Sequence, residues 1–293
     1  MPSPSTVLAV VFDCDDTLAP DTTVQLLKAK GVDPTQFWAS DIAQLVRQDW
    51  DPPLAFMSRI AELANSAGPL SGLNKTDIEA IGRKLQFYPG IPAIFPEVRK
   101  MIEGNEKFSQ FGISIEFYII SGGIEDLIRA HPIAQHMKDI WACNFEYDEK
   151  GQVRRPKRIV SFTEKTRFLF NIQKGLTGSK YRSQPYAVNV KVASDELRVP
   201  FENMIYIGDG PSDIPCMSVL ERNKGDVIGI LSEENPYKTY ALTYGRRARY
   251  TIPPDYRNGQ IGRKHLDDSI VRAAEKLVRK IEFELGQSPI PGY

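Results

Sequence analysis

The sequence has no charge bias: 37 Lys and Arg stand against 37 Asp and Glu, a formal net charge of +0 over 293 residues. That balance argues against a partner held mainly by charge, and so against nucleic acid or a membrane surface. Cysteine is scarce. Cys14, Cys143 and Cys216 are odd in number and widely scattered, which excludes a disulfide framework and a cysteine-based metal site. Reduced core thiols in a cytoplasmic protein are the expectation. Long apolar runs are missing too, and the opening MPSPST lacks the basic start of a secretory leader, so neither a membrane span nor an exported chain is expected. Internal repeats and long low-complexity segments are also lacking. What remains, 42% hydrophobic and 25% charged residues, is ordinary globular composition, with length enough for a large core or a core plus an insertion. The Pro-rich ends, MPSPS and GQSPIPGY, are expected to fray.

The chain is organised around VLAVVFDCDDTL, from Val7 to Leu18. Its apolar, β-branched first half predicts a strand buried on both faces, as in a parallel sheet. Three carboxylates follow at once, Asp13, Asp15 and Asp16, where open α/β sheets place their ligands. If the backbone stays extended, Asp13 and Asp15 share one side and Asp16 takes the other. Two close carboxylates repel unless a cation or a shared proton intervenes, which suits an oxygen-loving divalent metal, a nucleophile with an acid partner, or both. Helix capping by Asp15 or Asp16 is the competing reading. Cys14, beside this group, is a point where an oxidation product would block a site.

From about Asp21 to Gln86 the pattern is helical throughout, with helices over 22–30, 34–48, 52–66 and 75–86. Asp33-Pro34, Asp51-Pro52 and Asn74 mark starts, and Gly31 and Gly68 mark stops. Tyr88-Pro89-Gly90 is a boundary. Beyond it come a helix over 92–103, a strand over Ile113 to Ile120, a helix over 124–131 and short strands within 140–160 turning at Asp148 to Gly151. A helix over 163–174, an irregular Gly175 to Gln184, a short helical piece near 187–197, strands at 204–207 and 227–230 and a final helix over 261–285 complete the chain. Strands alternating with helices predict an α/β doubly wound parallel sheet with an inserted helical segment. The expected division is a core of residues 1–20 and 88–293 and a helical cap of 21–87.

Two further strand ends carry polar groups. Ser121-Gly122-Gly123 offers a hydroxyl and backbone N–H groups suited to an anion, or simply a Ser cap on a tight turn. Gly208-Asp209-Gly210-Pro211-Ser212-Asp213 supplies two more carboxylates, or a polar turn capped by Asp213. Together these resemble the haloacid dehalogenase-like (HAD) hydrolases: Asp13-Cys14-Asp15-Asp16-Thr17 the DxDxT motif, Ser121 the second motif, Asp209 and Asp213 the GDxxxD form of the fourth. Lys165 fits the basic third motif, with Lys157 and Arg158 as competitors. The resemblance covers 7–18 and about 88–230; the cap and 174–200 carry no family signature.

The resemblance implies a phosphatase-type member. Asp13 would be the nucleophile that forms an aspartyl phosphate, and Asp15 the acid and then base. Ser121, Gly122 and Lys165 would hold the phosphoryl oxygens. Magnesium would be held by Asp13, Asp209 and the Asp15 carbonyl, with Asp213 bracing the site. The Asp at 15 is what points to phosphatases and phosphomutases, since the superfamily's ATP-driven pumps have Thr there and the dehalogenases lack that Asp. The partner implied is a small phosphorylated substrate. A phosphotransferase or phosphomutase, or a non-catalytic phospholigand-binding protein, are the other readings. Arg47, Trp50 and Arg59 are available in the cap to meet a substrate. The basic runs at 154–158 and 246–249 read as solvated surface.

Overall fold

The computed structural model describes residues 5–231, 248 and 250–286. Seven strands form one sheet in the order β4-β3-β2-β1-β5-β6-β7: β1 Val7–Phe12, β2 Ser114–Ile124, β3 Met137–Tyr147, β4 Val153–Arg158, β5 Met204–Gly208, β6 Asp226–Ile230 and β7 Tyr250–Ile252. All neighbours are parallel except β3 and β4. That last pair is a hairpin, turned where Asp148 Oδ1 accepts from the backbone N–H of Lys150 and Gln152. The short strand at 250–252 was not visible in the sequence pattern, because three residues are too few to show a period.

The central strand is buried on both faces, as its unbroken apolar run requires. Ala9 and Val11 face one apolar layer, with Phe168 and Ile172 of the Phe162–Gln173 helix and Met217 and Leu220 of the Ile214–Arg222 helix. Leu8, Val10 and Phe12 face the other, with Phe95 and Val98 of the Ile94–Glu103 helix and Leu266 and Ile270 of the Ile261–Gly286 helix. The inserted segment carries four helical stretches, Thr22–Ala29, a helix over 34–47 with a π-type middle at Phe37–Ile42, Pro52–Ala64 and Lys75–Gly82, joined by turns. Asp33, Asp51 and Asn74 each cap their helix, with side-chain oxygens accepting from the N–H groups of Thr35, Leu54 and Asp77. Ala55, Met57 and Ile60 of this segment join the same buried layer as Trp141 and Phe145 of the sheet.

The irregular stretch predicted after the Phe162–Gln173 helix contains one helical turn, Ser179–Arg182. The helical piece expected near 187–197 reduces to a single 3-10 turn, Ala187–Asn189. Among the described residues no helix is long and apolar enough to cross a membrane. The basic run at 246–249 lies outside the described residues apart from Ala248, as do both chain ends.

Candidate active site

The site assembles at the carboxyl ends of three neighbouring strands. In register, Phe12 lies between Ile119 of β2 and Ile207 of β5. The ladder continues one residue further, with Asp13 N–H donating to Ile207 O at 2.9 Å. The backbone then turns instead of staying extended. Cys14 O accepts from the N–H groups of Thr17, Leu18 and Ala19, and Asp16 takes a left-handed φ of +55°. The expected alternation of Asp13, Asp15 and Asp16 is therefore lost, and all three line one cleft. Neither Asp15 nor Asp16 is the cap of the next helix. That place is taken by Asp21, whose Oδ1 accepts from Val24 N–H at 2.9 Å.

Lys165 comes to the same point from the first turn of the Phe162–Gln173 helix. Its Nζ donates to Asp13 Oδ2 and to Asp213 Oδ1, both at 2.8 Å, and lies 3.3 Å from Ser212 Oγ. The residue is 1% exposed. Burial alone would depress its ammonium, but the Asp13 and Asp213 carboxylates more than reverse that and hold it charged. Of its two competitors, Lys157 is exposed on β4 and Arg158 pairs with Glu125. Neither reaches Asp13.

Asp13, Asp209 and Asp213 are all buried, and offer carboxylate oxygens within 4.8 Å of one another. Three oxygen donors in that space fit a hard divalent cation such as magnesium. Asp213 differs from the other two. Its Oδ1 takes Lys165 and the Tyr206 hydroxyl (2.8 Å), and its Oδ2 takes the N–H groups of Asp209 (3.1 Å) and Gly210 (3.2 Å). Both oxygens are thus engaged in shaping the loop that presents Asp209. Burial first, then the Asp213 charge, pushes the Asp13 carboxyl up against the pull of Lys165. Burial also raises Asp15, opposed by the Thr22 N–H, which donates to Asp15 Oδ1 at 2.7 Å.

Strand β2 runs on through Ser121-Gly122-Gly123, past the expected end at Ile120. The Ser121 hydroxyl is wholly buried: it accepts from Gly123 N–H at 2.9 Å and donates to Asp15 Oδ2 at 3.4 Å. Gly122 and Gly123 form the cleft wall, while Ser121 sits behind it. Gly123 is the close approach, since a Cβ there would lie 2.4 Å from Asp15 Oδ2; at Gly122 nothing comes nearer than 3.8 Å.

The cleft encloses about 240 Å³. Its outer wall is apolar, made by Trp38, Pro52, Pro53 and Phe56 of the insertion and by Phe162, which is 46% exposed at the mouth. None of Arg47, Trp50 and Arg59 lines it; Arg59 is drawn off by Asp41 and Glu62. Sequence reasoning did not single out Trp38 or Phe56, since nothing in their spacing separates a wall from a helix core. Ser212 and Tyr206 were likewise overlooked, although both lie within three residues of Asp209. Cys14 is fully buried, its thiol pushed up by burial and by Asp15 and Asp13, which shields it from oxidation.

Comparison with solved structures gives the architecture a place. A HAD family hydrolase of Salmonella enterica serovar Typhi superposes with a TM-score of 0.55 at 18% identity, over 86% of this chain and 68% of that one. The chain has the HAD-like hydrolase fold. A probable phosphoserine phosphatase of Vibrio cholerae shares this HAD-like fold with a TM-score of 0.52 at 15% identity, covering 94% of this chain and 69% of its own. A substrate-bound phosphoserine phosphatase does so at 0.50 and 13%, covering 89% and 97%. In sequence, an uncharacterized protein of Borreliella burgdorferi is 26% identical over 235 residues, 73% of this chain and 78% of that protein. No family model matches the sequence.

Proposed function

We propose that this chain is a magnesium-dependent phosphomonoester hydrolase working through an aspartyl phosphate on Asp13. The observation that carries the reading is the buried Lys165 ammonium joined to Asp13 and Asp213, beside Asp209, at adjacent parallel strand ends. Asp13 attacks phosphorus, and the bond to the leaving oxygen breaks as Asp15 gives that oxygen its proton. Asp15, now a carboxylate, takes a proton from water. The water oxygen attacks the phosphoryl group, releasing inorganic phosphate and restoring Asp13. Lys165 and the Gly122 N–H face the phosphoryl oxygens as charge builds on them. Asp13, Asp209 and the Asp15 carbonyl would hold magnesium, which when bound offsets the repulsion between carboxylate and phosphate. Asp213 keeps Asp209 and Lys165 in place, and Ser121 orients Asp15.

The cleft lining also bears on the substrate. Lys165 is its one cation among the described residues, and Asp16, Asp21, Trp38, Phe56 and Phe162 flank it. Such a wall suits a small ester whose leaving group carries no negative charge. The test is turnover of p-nitrophenyl phosphate with magnesium and with EDTA, followed by a panel of phosphorylated metabolites. Turnover that needs magnesium is expected, with esters of neutral or cationic alcohols ahead of those bearing a carboxylate or second phosphate. Binding of phosphate esters without any turnover would instead favour a non-catalytic binding protein.

A further inference from the structure

A second cavity, of about 560 Å³, opens between the β3–β4 hairpin, the Phe162–Gln173 helix and the 175–185 segment, and shares no lining residue with the acidic cleft. Its charged lining is four cations, Lys157, Arg158, Arg167 and Arg182, against one carboxylate, Glu125. Glu125 is buried and already shared by Arg129, Arg158 and Arg182. Counting the ion-pair partners of the lining residues adds Arg129, Asp139 and Glu164, which gives five cations to three carboxylates. Burial first, and then the charges of Arg182 and Arg167, pulls the Arg158 guanidinium down to about 10. The back of the cavity is apolar: Trp141 and Phe168 stack with centroids 5.1 Å apart, next to Leu176.

The geometry points to a second ligand site, taking a small organic anion with its oxyanion head among Lys157, Arg158 and Arg167 and its body against Trp141, Phe168 and Leu176. A head group of that kind restores the charge balance, and guanidinium forks match phosphate and carboxylate oxygens. The volume suits a ligand of metabolite size. The 175–185 segment forms the roof. It is tied down by Arg182 on Asp139 and by Gly178 N–H donating to Asp139 Oδ2 at 2.7 Å, so the site is preformed.

The probes are phenylphosphonate, whose carbon–phosphorus bond a phosphatase cannot hydrolyse, and phenylacetate, which carries a carboxylate on a similar body. Binding is measured by equilibrium dialysis of the full chain in magnesium buffer. Two variants leave the acidic cleft intact: Lys157→Gln with Arg167→Gln removes charge from exposed or part-exposed side chains, and Ser179→Trp fills the cavity from its exposed roof. Wild type should bind one equivalent that both variants lose or weaken at least about tenfold, while p-nitrophenyl phosphate turnover stays at the wild-type rate. Phenylphosphonate in that equivalent identifies a phosphate head; phenylacetate identifies a carboxylate. If both variants bind both probes as wild type does, the cavity is no anion site and the proposal fails. Turnover is read separately, so this failure is distinct from failure of the phosphatase reading.

Discussion

The acidic cleft and the arginine-lined cavity flank one helix and carry opposite imbalances. Five carboxylates face Lys165 on one side, and four cations face Glu125 on the other. A net charge of zero over the whole chain hides these two local fields of opposite sign, so composition says nothing about either. The two regions also handle charge differently. In the cleft, Lys165 is held between two carboxylates with almost no solvent, where each charge depends on its partners. In the cavity, Arg158, Arg167 and Arg182 keep about a quarter of their side chains in water, so screening softens every pair.

The largest expected effect breaks the cleft's chemistry. Asp13→Asn should lose at least about a thousandfold in magnesium-dependent turnover, as removal of a nucleophile does, and leave phenylphosphonate binding in the cavity unchanged. Steady-state kinetics and dialysis on the same preparation separate the two regions. The next effect compares one cation from each. Lys165→Met strands Asp13 and Asp213 and should cost about 3–5 kcal/mol in urea unfolding, with part of the loss recovered on adding magnesium. Arg167→Met removes a part-exposed cation and should cost under about 1 kcal/mol. Equal costs would mean that the buried triad is no more interdependent than a surface pair.

The two regions differ as much in how far they could be read from sequence. Asp13, Asp15, Asp209 and Asp213 stand at fixed short spacings just past apolar runs, and the sheet brings those strand ends side by side, so the grouping was legible. Lys165 has no spacing of its own; only the fold shows that it, and not Lys157, reaches Asp13. The turn at Cys14 was not legible, because an extended run and a tight loop share the same short acidic string until Asp16 takes φ of +55°. The cavity's cations come from β4, the middle of a helix and an irregular segment, with no common period. The basic run at 154–158 read as solvated surface: Arg154 and Arg155 do pair with Glu146 at the surface, while Arg158 turns inward to Glu125.

A smaller effect sharpens the cleft's geometry. In Gly123→Ala the new Cβ meets Asp15 Oδ2 at 2.4 Å, with Ser121 Oγ and Thr22 Oγ1 at 3.2 Å, so Asp15 must move. Turnover should fall about a hundredfold, as for a displacement of about 1 Å in a reacting group. Gly122→Ala, whose Cβ has only Val160 O at 3.8 Å, should stay within a few-fold of wild type. Comparable losses in both would shift the critical approach from Asp15 to the backbone N–H groups.

The smallest effect tests the cleft's crowding by pH. Asp21 lines the cleft while capping the Thr22–Ala29 helix. Burial, and then the charges of Asp15 and Asp16, pushes its carboxyl up to about 7, against about 4 in an unfolded chain. The folded state therefore holds this proton more tightly than the unfolded state does. Its contribution to stability is full below about pH 4, is lost progressively as pH rises and is gone above about pH 7. Asn caps a helix as well as Asp does and has nothing to ionise. Asp21→Asn should thus gain on wild type as pH rises, with the gap in Tm widening from about pH 4 to about pH 7 and level above it, by a few degrees in all. Thermal melts in EDTA across that range measure the gap. Arg167→Gln, from the cavity, is the control and should show no such trend, since arginine stays charged throughout. A gap for Asp21→Asn that is constant with pH would mean that Asp21 ionises normally and that the five carboxylates are better screened than their burial indicates.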